Sequence, residues 1–250
     1  MRERQLGDRR DVGRDSGEHS IEEHHIEVPR TARYATLGLD THSPAEVWIV
    51  LHGYRQLARS FLRRFVALDD GTRWLVAPEA LSRFYTGAER GRHGPESKVG
   101  ATWMTRDDRE NEIRDYVRYL DLTAAKILSW LPGPVRLTVL GFSQGAHTAA
   151  RWAAYGRAPI ARLVLWGEHL PADLDMERAA PRYRTMELVF VRGDADPVLG
   201  GEPAAAEAEK LDGWTLRPRV LAYPGGHDIL SGPLSELAAS GPPGVTLPGT

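Results

Sequence analysis

Short runs of apolar residues alternate with longer segments of helical periodicity from about Ile26 onward. This alternation is typical of a parallel sheet covered by helices, and runs that are apolar at every position indicate strands buried on both faces. We therefore predict an α/β fold with a mostly parallel central sheet and helices on both faces. Its six central strands are expected at 47–51, 74–77, 137–140, 163–166, 188–191 and 220–223. The more polar segments 26–28 and 32–37, separated by Pro29, fit an antiparallel edge hairpin.

The clearest helix is predicted over 107–131, where apolar residues recur at three- and four-residue steps. Thr105 and Asp108 have the spacing of a capping box at its start, and Pro132-Gly133-Pro134 ends it. Further helices are expected at 57–68, 144–155, 203–211 and 232–239. No repeat or linker divides this region, so we predict one domain over 26–239, with a charged flexible tail at 1–25 and a second flexible tail at 240–250.

The composition excludes several kinds of function. The chain has no cysteine, which removes disulfides and thiolate chemistry and leaves serine or threonine for a covalent step. A net charge of -2 gives no whole-chain reason to bind nucleic acid. No apolar run approaches the roughly 20 residues of a membrane-spanning helix, and segment 1–20 lacks the apolar part of a secretory signal. We expect a soluble cytoplasmic protein without stable membrane insertion.

A G-x-S-x-G motif, Gly141-Phe142-Ser143-Gln144-Gly145, lies between a predicted strand and a predicted helix. This context is typical of a strained turn that exposes a nucleophilic serine, so Ser143 is the candidate nucleophile. A serine hydroxyl needs a base, and the base needs an oriented acceptor. In the α/β-hydrolase arrangement the acid and then the histidine follow the serine, each after a later strand, which favours Asp196 and His227.

Other residues could take these two roles. Asp194 is the competing acid, and its alternative role is a turn residue that binds the loop backbone. His147 lies one helical turn after Ser143, where a packing or surface role is favoured over that of the base. The remaining histidines are less suited: His169 precedes the acid, His42 and His93 lie in polar loops, and His19, His24 and His25 lie in the charged tail without a fourth metal ligand.

Acyl transfer also needs two backbone N–H groups directed at the oxyanion. The N–H of Gln144, at the start of a helix, is one candidate. The positive end of the helix dipole there further stabilises a negative charge. The N–H of Tyr54 is the other candidate, because it follows His52-Gly53 directly after the predicted strand 47–51. The alternative is that His52-Gly53 only turns the chain.

With these residues together, the chain resembles the phospholipase/carboxylesterase family of α/β-hydrolases, which includes bacterial carboxylesterases and acyl-protein thioesterases. The resemblance covers about 46–230 and rests on Leu51-His52-Gly53, Pro78-Glu79, Trp103, Gly141 to Gly145, Asp196-Pro197-Val198 and Gly226-His227. It implies an α/β-hydrolase fold with nucleophile Ser143, acid Asp196, base His227 and oxyanion donors Tyr54 and Gln144. Family members hydrolyse carboxylic esters, and some cleave lysophospholipids or acyl-thioesters.

Two departures leave the substrate open. Family members often carry Leu-Gly-Asp where this chain has Tyr54-Arg55-Gln56, and Val-Val-Pro where it has Val198-Leu199-Gly200. Segment 82–105 is expected to be a long loop at the mouth of the site, either a flap whose basic residues contact an anionic substrate or a solvated loop. Trp103 and Met104 either line an acyl pocket or pack in the core.

The sequence thus predicts a serine esterase that acts on a small-molecule acyl ester and needs no metal or organic cofactor. The alternatives are an acyl-thioesterase or small peptidase with the same triad, or a non-catalytic binding protein that keeps the fold. Homodimers are common among soluble enzymes, but no residue pattern in this chain requires one. A homodimer is therefore a hypothesis to test.

Overall fold

The computed structural model of the protein describes residues 21–38, 44–87, 93–199 and 204–240. The chain divides into two units, 1–31 and 32–250. In the first unit the described residues, 21–31, are exposed and contain neither helix nor strand. The tail residues 1–20 and 241–250, and with them His19, lie outside the described residues, as does His42. The predicted domain bounds therefore stay a prediction.

The second unit is built on a seven-stranded sheet with the order β1-β3-β2-β6-β7-β8-β9. Within the described residues the strands are β1 (Tyr34–Leu37), β2 (Glu46–Leu51), β3 (Arg73–Pro78), β4 (Ser82–Tyr85), β5 (Val99–Thr102), β6 (Arg136–Phe142), β7 (Ile160–Trp166), β8 (Glu187–Gly193) and β9 (Arg219–Tyr223). All pairs in the large sheet are parallel except β1 with β3. All six predicted strands are present, each slightly longer than the apolar run that indicated it, but β9 is an edge strand with Val220 exposed rather than a strand buried on both faces.

The predicted edge hairpin is half wrong. Its second segment forms β1, which is an antiparallel edge strand, but its first segment, 26–28, is exposed and has no strand. The register of β1 runs from Tyr34 opposite Pro78 to Leu37 opposite Leu75. Segment 26–28 buries none of its side chains, so no hydrophobic face stabilises a strand there.

The helices are α1 (Ala58–Leu62), α2 (Arg109–Leu128), α3 (Gln144–Tyr155), α4 (Met176–Tyr183), α5 (Ala204–Gly213) and α6 (Ser231–Ala239). The predicted helix 57–68 is divided into α1 and a 3-10 segment, Arg63–Leu68. The predicted capping box of Thr105 and Asp108 is wrong. Asp108 lies at the N-cap of α2 in a left-handed conformation, and its side chain accepts a hydrogen bond from the Asn111 amide instead of capping a helix N–H. The Thr105 N–H binds the Glu112 carboxylate.

The two faces of the sheet pack against different helices. Along β2, Val47, Ile49 and Leu51 pack into the core on the side of α2 and α3, and Trp48 and Val50 into the core on the side of α1 and α6. All six residues of β2 are buried, as expected of a strand covered on both faces. Because β6, β7, β8 and β9 run parallel, their carboxyl ends lie together at one end of the sheet. Parallel α/β sheets bind their ligands at this end.

Segment 82–105 was expected to be a long loop, and this is wrong for its described part, which contains a β-hairpin. Strands β4 and β5 pair antiparallel from Ser82 opposite Thr102 to Tyr85 opposite Val99. Backbone bonds also join β5 to the turn after β2: the Arg55 N–H donates to Ala101 O and the Ala101 N–H to Gln56 O. Arg90 and Arg92, two of the basic residues of segment 82–105, lie outside the described residues. No helix in the described ranges is long and apolar enough to cross a membrane.

Candidate active site

Ser143 lies in a sharp turn between β6 and α3. Its backbone has φ 53° and ψ -126°, a conformation that is uncommon for a residue with a side chain. The two motif glycines make this turn fit. A Cβ on Gly141 would lie 2.2 Å from Gly145 O, and a Cβ on Gly145 would lie 2.2 Å from Leu51 O. The Ser143 N–H donates to Trp166 O at 3.0 Å, which ties the turn to the end of β7.

His227 and Asp196 form a hydrogen-bonded pair. The distance from His227 Nδ1 to Asp196 Oδ2 is 2.8 Å, and the other carboxylate oxygen accepts the Val198 N–H at 2.9 Å. The Asp196 side chain is fully buried, whereas the His227 side chain is 23% exposed. With an ionised Asp196, Nδ1 carries the proton of this bond and Nε2 is left as the acceptor nitrogen.

Asp194, the competing acid, contacts the backbone of the His227 loop rather than the imidazole. Its Oδ1 accepts the Gly225 N–H at 3.0 Å, and its own N–H donates to Tyr223 O at 3.0 Å. The Ala195 N–H donates to Gly225 O at 2.9 Å. Of the two candidate acids, the structure therefore brings Asp196 to His227, and Asp194 joins the two loops.

The imidazole of His227 packs against two residues, Phe142 in the serine turn and Gly167 after β7. The ring lies 4.8 Å, centre to centre, from the ring of Phe142, the residue before Ser143. It also lies against Gly167, the residue after β7, where an added Cβ would be 2.9 Å from His227 Cε1 and 3.3 Å from Asp196 Oδ2. Sequence reasoning missed Gly167. The available signal was a glycine directly after a predicted central strand.

The turn after β2 is fixed by His52. This side chain is buried, its Nε2 lies 3.1 Å from the Ala80 N–H, and its Nδ1 lies 2.8 Å from Gly53 O. Burial lowers the pKa of His52, so the ring is neutral, with Nδ1 as donor and Nε2 as acceptor. A Cβ on Gly53 would lie 3.3 Å from Ser143 Cβ, so the turn approaches the serine closely.

The predicted oxyanion donors occupy the two segments beside Ser143. Gln144 is the first residue of α3, where backbone N–H groups have no partner within the helix. Tyr54 follows Gly53, and its half-exposed ring stacks on Phe84 of β4, with 5.4 Å between ring centres. Their roles as oxyanion donors stay predictions.

The side chain of Gln144 makes hydrogen bonds to segment 102–104 that the sequence did not indicate. Its Nε2 donates to Met104 O at 2.9 Å and to Thr102 Oγ1 at 2.8 Å, and its Oε1 accepts the Trp103 N–H at 3.1 Å. Trp103 is buried in the core, and its indole N–H donates to His52 O at 2.8 Å. Met104 is half-buried against the same core. A role for Trp103 or Met104 in an acyl pocket stays a prediction.

The other described histidines near the sheet edge have acidic partners. His147 Nε2 lies 3.4 Å from Glu168, and His169 Nδ1 lies 3.0 Å from Glu207, which Arg192 also contacts. Within the described ranges, no three His, Asp or Glu side chains are grouped so that they could hold a metal ion.

Residues 45–230 match the family model described as serine hydrolase (FSH1). The chain belongs to this family. It is therefore a serine hydrolase, as the resemblance to the carboxylesterases and acyl-protein thioesterases implied. A search of the curated proteins found no match to this chain.

Three similar solved structures support the fold. A carboxylesterase from Mesorhizobium loti is 18% identical, with a TM-score of 0.62 over 84% of this chain and 95% of that one. The Zea mays acyl-protein thioesterase 2 is 19% identical, with a TM-score of 0.59 over 84% and 97%. An esterase, PE8, is 20% identical, with a TM-score of 0.61 over 84% and 97%. The predicted α/β-hydrolase fold is confirmed.

Proposed function

We propose that this serine hydrolase cleaves carboxylic esters through an acyl-enzyme intermediate on Ser143. The observation that carries the proposal is the 2.8 Å bond from His227 to the buried Asp196, with the imidazole packed beside the serine turn. This arrangement supplies a nucleophile, a base and an oriented acceptor for the base, which together are what an acyl-transfer site needs. The proposed substrate is a small-molecule acyl ester, with lysophospholipids included in this class.

In the first half of the reaction, Ser143 Oγ attacks the acyl carbonyl carbon and its proton passes to His227 Nε2. The resulting oxyanion is stabilised by the N–H groups of Gln144 and Tyr54. The carbon–oxygen bond to the alcohol then breaks, and Nε2 returns the proton to the leaving alcohol. Asp196 stays ionised throughout, holds the tautomer and stabilises the imidazolium.

In the second half, a water molecule takes the place of the alcohol. His227 accepts a proton from the water as its oxygen attacks the acyl carbon of the ester on Ser143. The acyl–Oγ bond breaks, Ser143 recovers the proton from His227, and the carboxylic acid leaves. No step requires a metal ion or an organic cofactor.

The same residues would also cleave a thioester. A small peptidase would need, in addition, a proton held where it can reach the nitrogen of the leaving amine. A matched series of a butyryl ester, thioester and anilide, differing only at the leaving atom, separates these reactions. We expect hydrolysis of the ester, and expect Asp196→Asn to lower kcat by up to about 10⁴-fold because the imidazole loses its oriented tautomer. Asp194→Asn is the matched control and should keep most of the activity, because its amide oxygen can still accept the Gly225 N–H.

The competing non-catalytic role predicts a different result in the same assay. A binding protein would leave all three butyryl compounds intact while still retaining the fold. Ester hydrolysis that persists at the wild-type rate in Ser143→Ala would contradict the proposed chemistry, because the attacking oxygen would then have to come from elsewhere.

A further inference from the structure

One hydroxyl lies between the two peptide carbonyls that flank His227. Tyr223 Oη is 2.9 Å from Gly226 O and 2.7 Å from Asp228 O. Tyr223 is buried, and burial raises the pKa of its phenol, so the hydroxyl keeps its proton and can donate. The indole N–H of Trp166, which is fully buried, lies 3.0 Å from Asp228 O and 3.1 Å from the same hydroxyl.

One assignment of the two side-chain donors gives each carbonyl a hydrogen bond. The Trp166 N–H can donate to Asp228 O while the Tyr223 O–H donates to Gly226 O, so that both carbonyls are paired. The Asp228 N–H closes a tight turn onto Gly226 O at 2.9 Å. Residues 224–230 contain no helix or strand, so regular backbone pairing does not hold this loop. The two side chains therefore hold the peptide groups on either side of His227.

Trp166 also contacts the nucleophile. Its carbonyl accepts the Ser143 N–H at 3.0 Å, while its indole holds the loop of His227. One residue at the end of β7 thus joins the backbone of the serine turn to the loop that carries the imidazole. The relative position of the two reacting groups depends on this residue and on Tyr223, which supports the same loop.

We infer that Trp166 and Tyr223 are positioning residues, which set the separation of the His227 imidazole from the Ser143 hydroxyl. The inference rests on the proposed function of these two groups. Neither side chain touches the substrate in this account, and each acts through the peptide carbonyls beside His227. A misplacement of about 1 Å in a reacting group can lower the rate about a hundredfold, so a support of this kind has a measurable effect.

The test compares Tyr223→Phe with Tyr183→Phe. Tyr183 is also fully buried, and its hydroxyl donates to Ala150 O at 2.9 Å in the core between α3 and α4. Each variant keeps its ring and loses one buried hydroxyl, so both should lower the melting temperature. The steady-state kcat and KM for p-nitrophenyl butyrate and the melting temperature are measured for both variants and for the wild type, at a temperature where all three are folded.

We expect Tyr223→Phe to lower kcat by about tenfold or more with KM changed less than about twofold, and Tyr183→Phe to change neither by more than about twofold. Wild-type kcat in Tyr223→Phe, or equal losses in both variants, would overturn the positioning role while leaving the proposed function in place. A wild-type protein that neither hydrolyses the ester nor reacts with a fluorophosphonate would overturn the proposed function, and the positioning role would fail with it.

Discussion

Replacing Gly167 with alanine tests whether the position of His227 matters for catalysis. Gly167 has φ +71°, and an added Cβ would lie 2.9 Å from His227 Cε1 and 3.0 Å from its Nδ1. Ordinary carbon–carbon contacts begin at about 3.5 Å, so the imidazole would have to withdraw by roughly 0.6 Å. Asp196 Oδ2, at 3.3 Å from the same Cβ, limits withdrawal on that side.

Two effects follow from this substitution. The left-handed backbone costs a residue with a Cβ about 1–2 kcal/mol, so we expect the free energy of unfolding to fall by about that amount. The displaced imidazole would lower kcat by about ten- to a hundredfold, because a reacting group that is misplaced by even a fraction of about 1 Å reacts more slowly. Urea denaturation gives the first value, and steady-state hydrolysis of p-nitrophenyl butyrate gives the second.

Gly232→Ala is the matched control, because the Cβ it would add has no neighbour within 4 Å apart from the adjacent residues and the backbone of its own helix, α6. Alanine there should leave kcat unchanged, and it should not stabilise the helix, because Pro233 follows and a Cβ on the residue before proline disfavours the helical conformation. The reasoning is refuted if Gly167→Ala keeps the wild-type kcat while its stability falls as expected, because the imidazole would then not need the position that the structure gives it.

Three further outcomes are expected. His147→Gln should keep ester hydrolysis within about threefold, because His147 pairs with Glu168 and not with the acid of the site; inactivation would identify His147 as a base. Asp194→Ala should lower the melting temperature and also slow hydrolysis by severalfold, because its bond to the Gly225 N–H joins the two catalytic loops; an unchanged melting temperature would count against this link. The pKa of His52 is lowered by burial, so between pH 7 and 5 the unfolded chain takes up a proton that the folded chain does not, and stability should fall on acidification. Two results would contradict that assignment: a urea midpoint that rises as the pH is lowered from 7 to 5, or a pH dependence of stability that is unchanged in His52→Gln.

Patterns that are local in the sequence predicted their elements well. The continuous apolar runs indicated six strands of the large sheet; five of these runs are buried on both faces, whereas β9 is an edge strand with Val220 exposed, and α3 has the same bounds as its predicted helix. Helix α4 was missed because Pro181 lies inside it, and proline is a strong signal against a helix interior. The hairpin of β4 and β5 could not be predicted, because its strands are only four residues long and the segment is polar and rich in glycine.

Ser143 could be predicted as the candidate nucleophile because its motif and the neighbouring strand and helix are contiguous in the sequence. Asp194 and Asp196 follow the same strand two residues apart, and only the folded loop decides which carboxylate reaches His227. The bonds of the Gln144 side chain to Thr102 and Met104 join segments about 40 residues apart. Such tertiary hydrogen bonds leave no periodic pattern, so they could not be predicted from one sequence.

The most direct test of the central claim is intact-mass analysis after treatment with a fluorophosphonate, which phosphonylates only an activated serine. It needs no knowledge of the natural substrate, and Ser143→Ala and His227→Ala serve as the two comparison proteins. The account predicts a single adduct on the wild type and none on either variant. An unmodified wild type, or an adduct on Ser143→Ala, would contradict it.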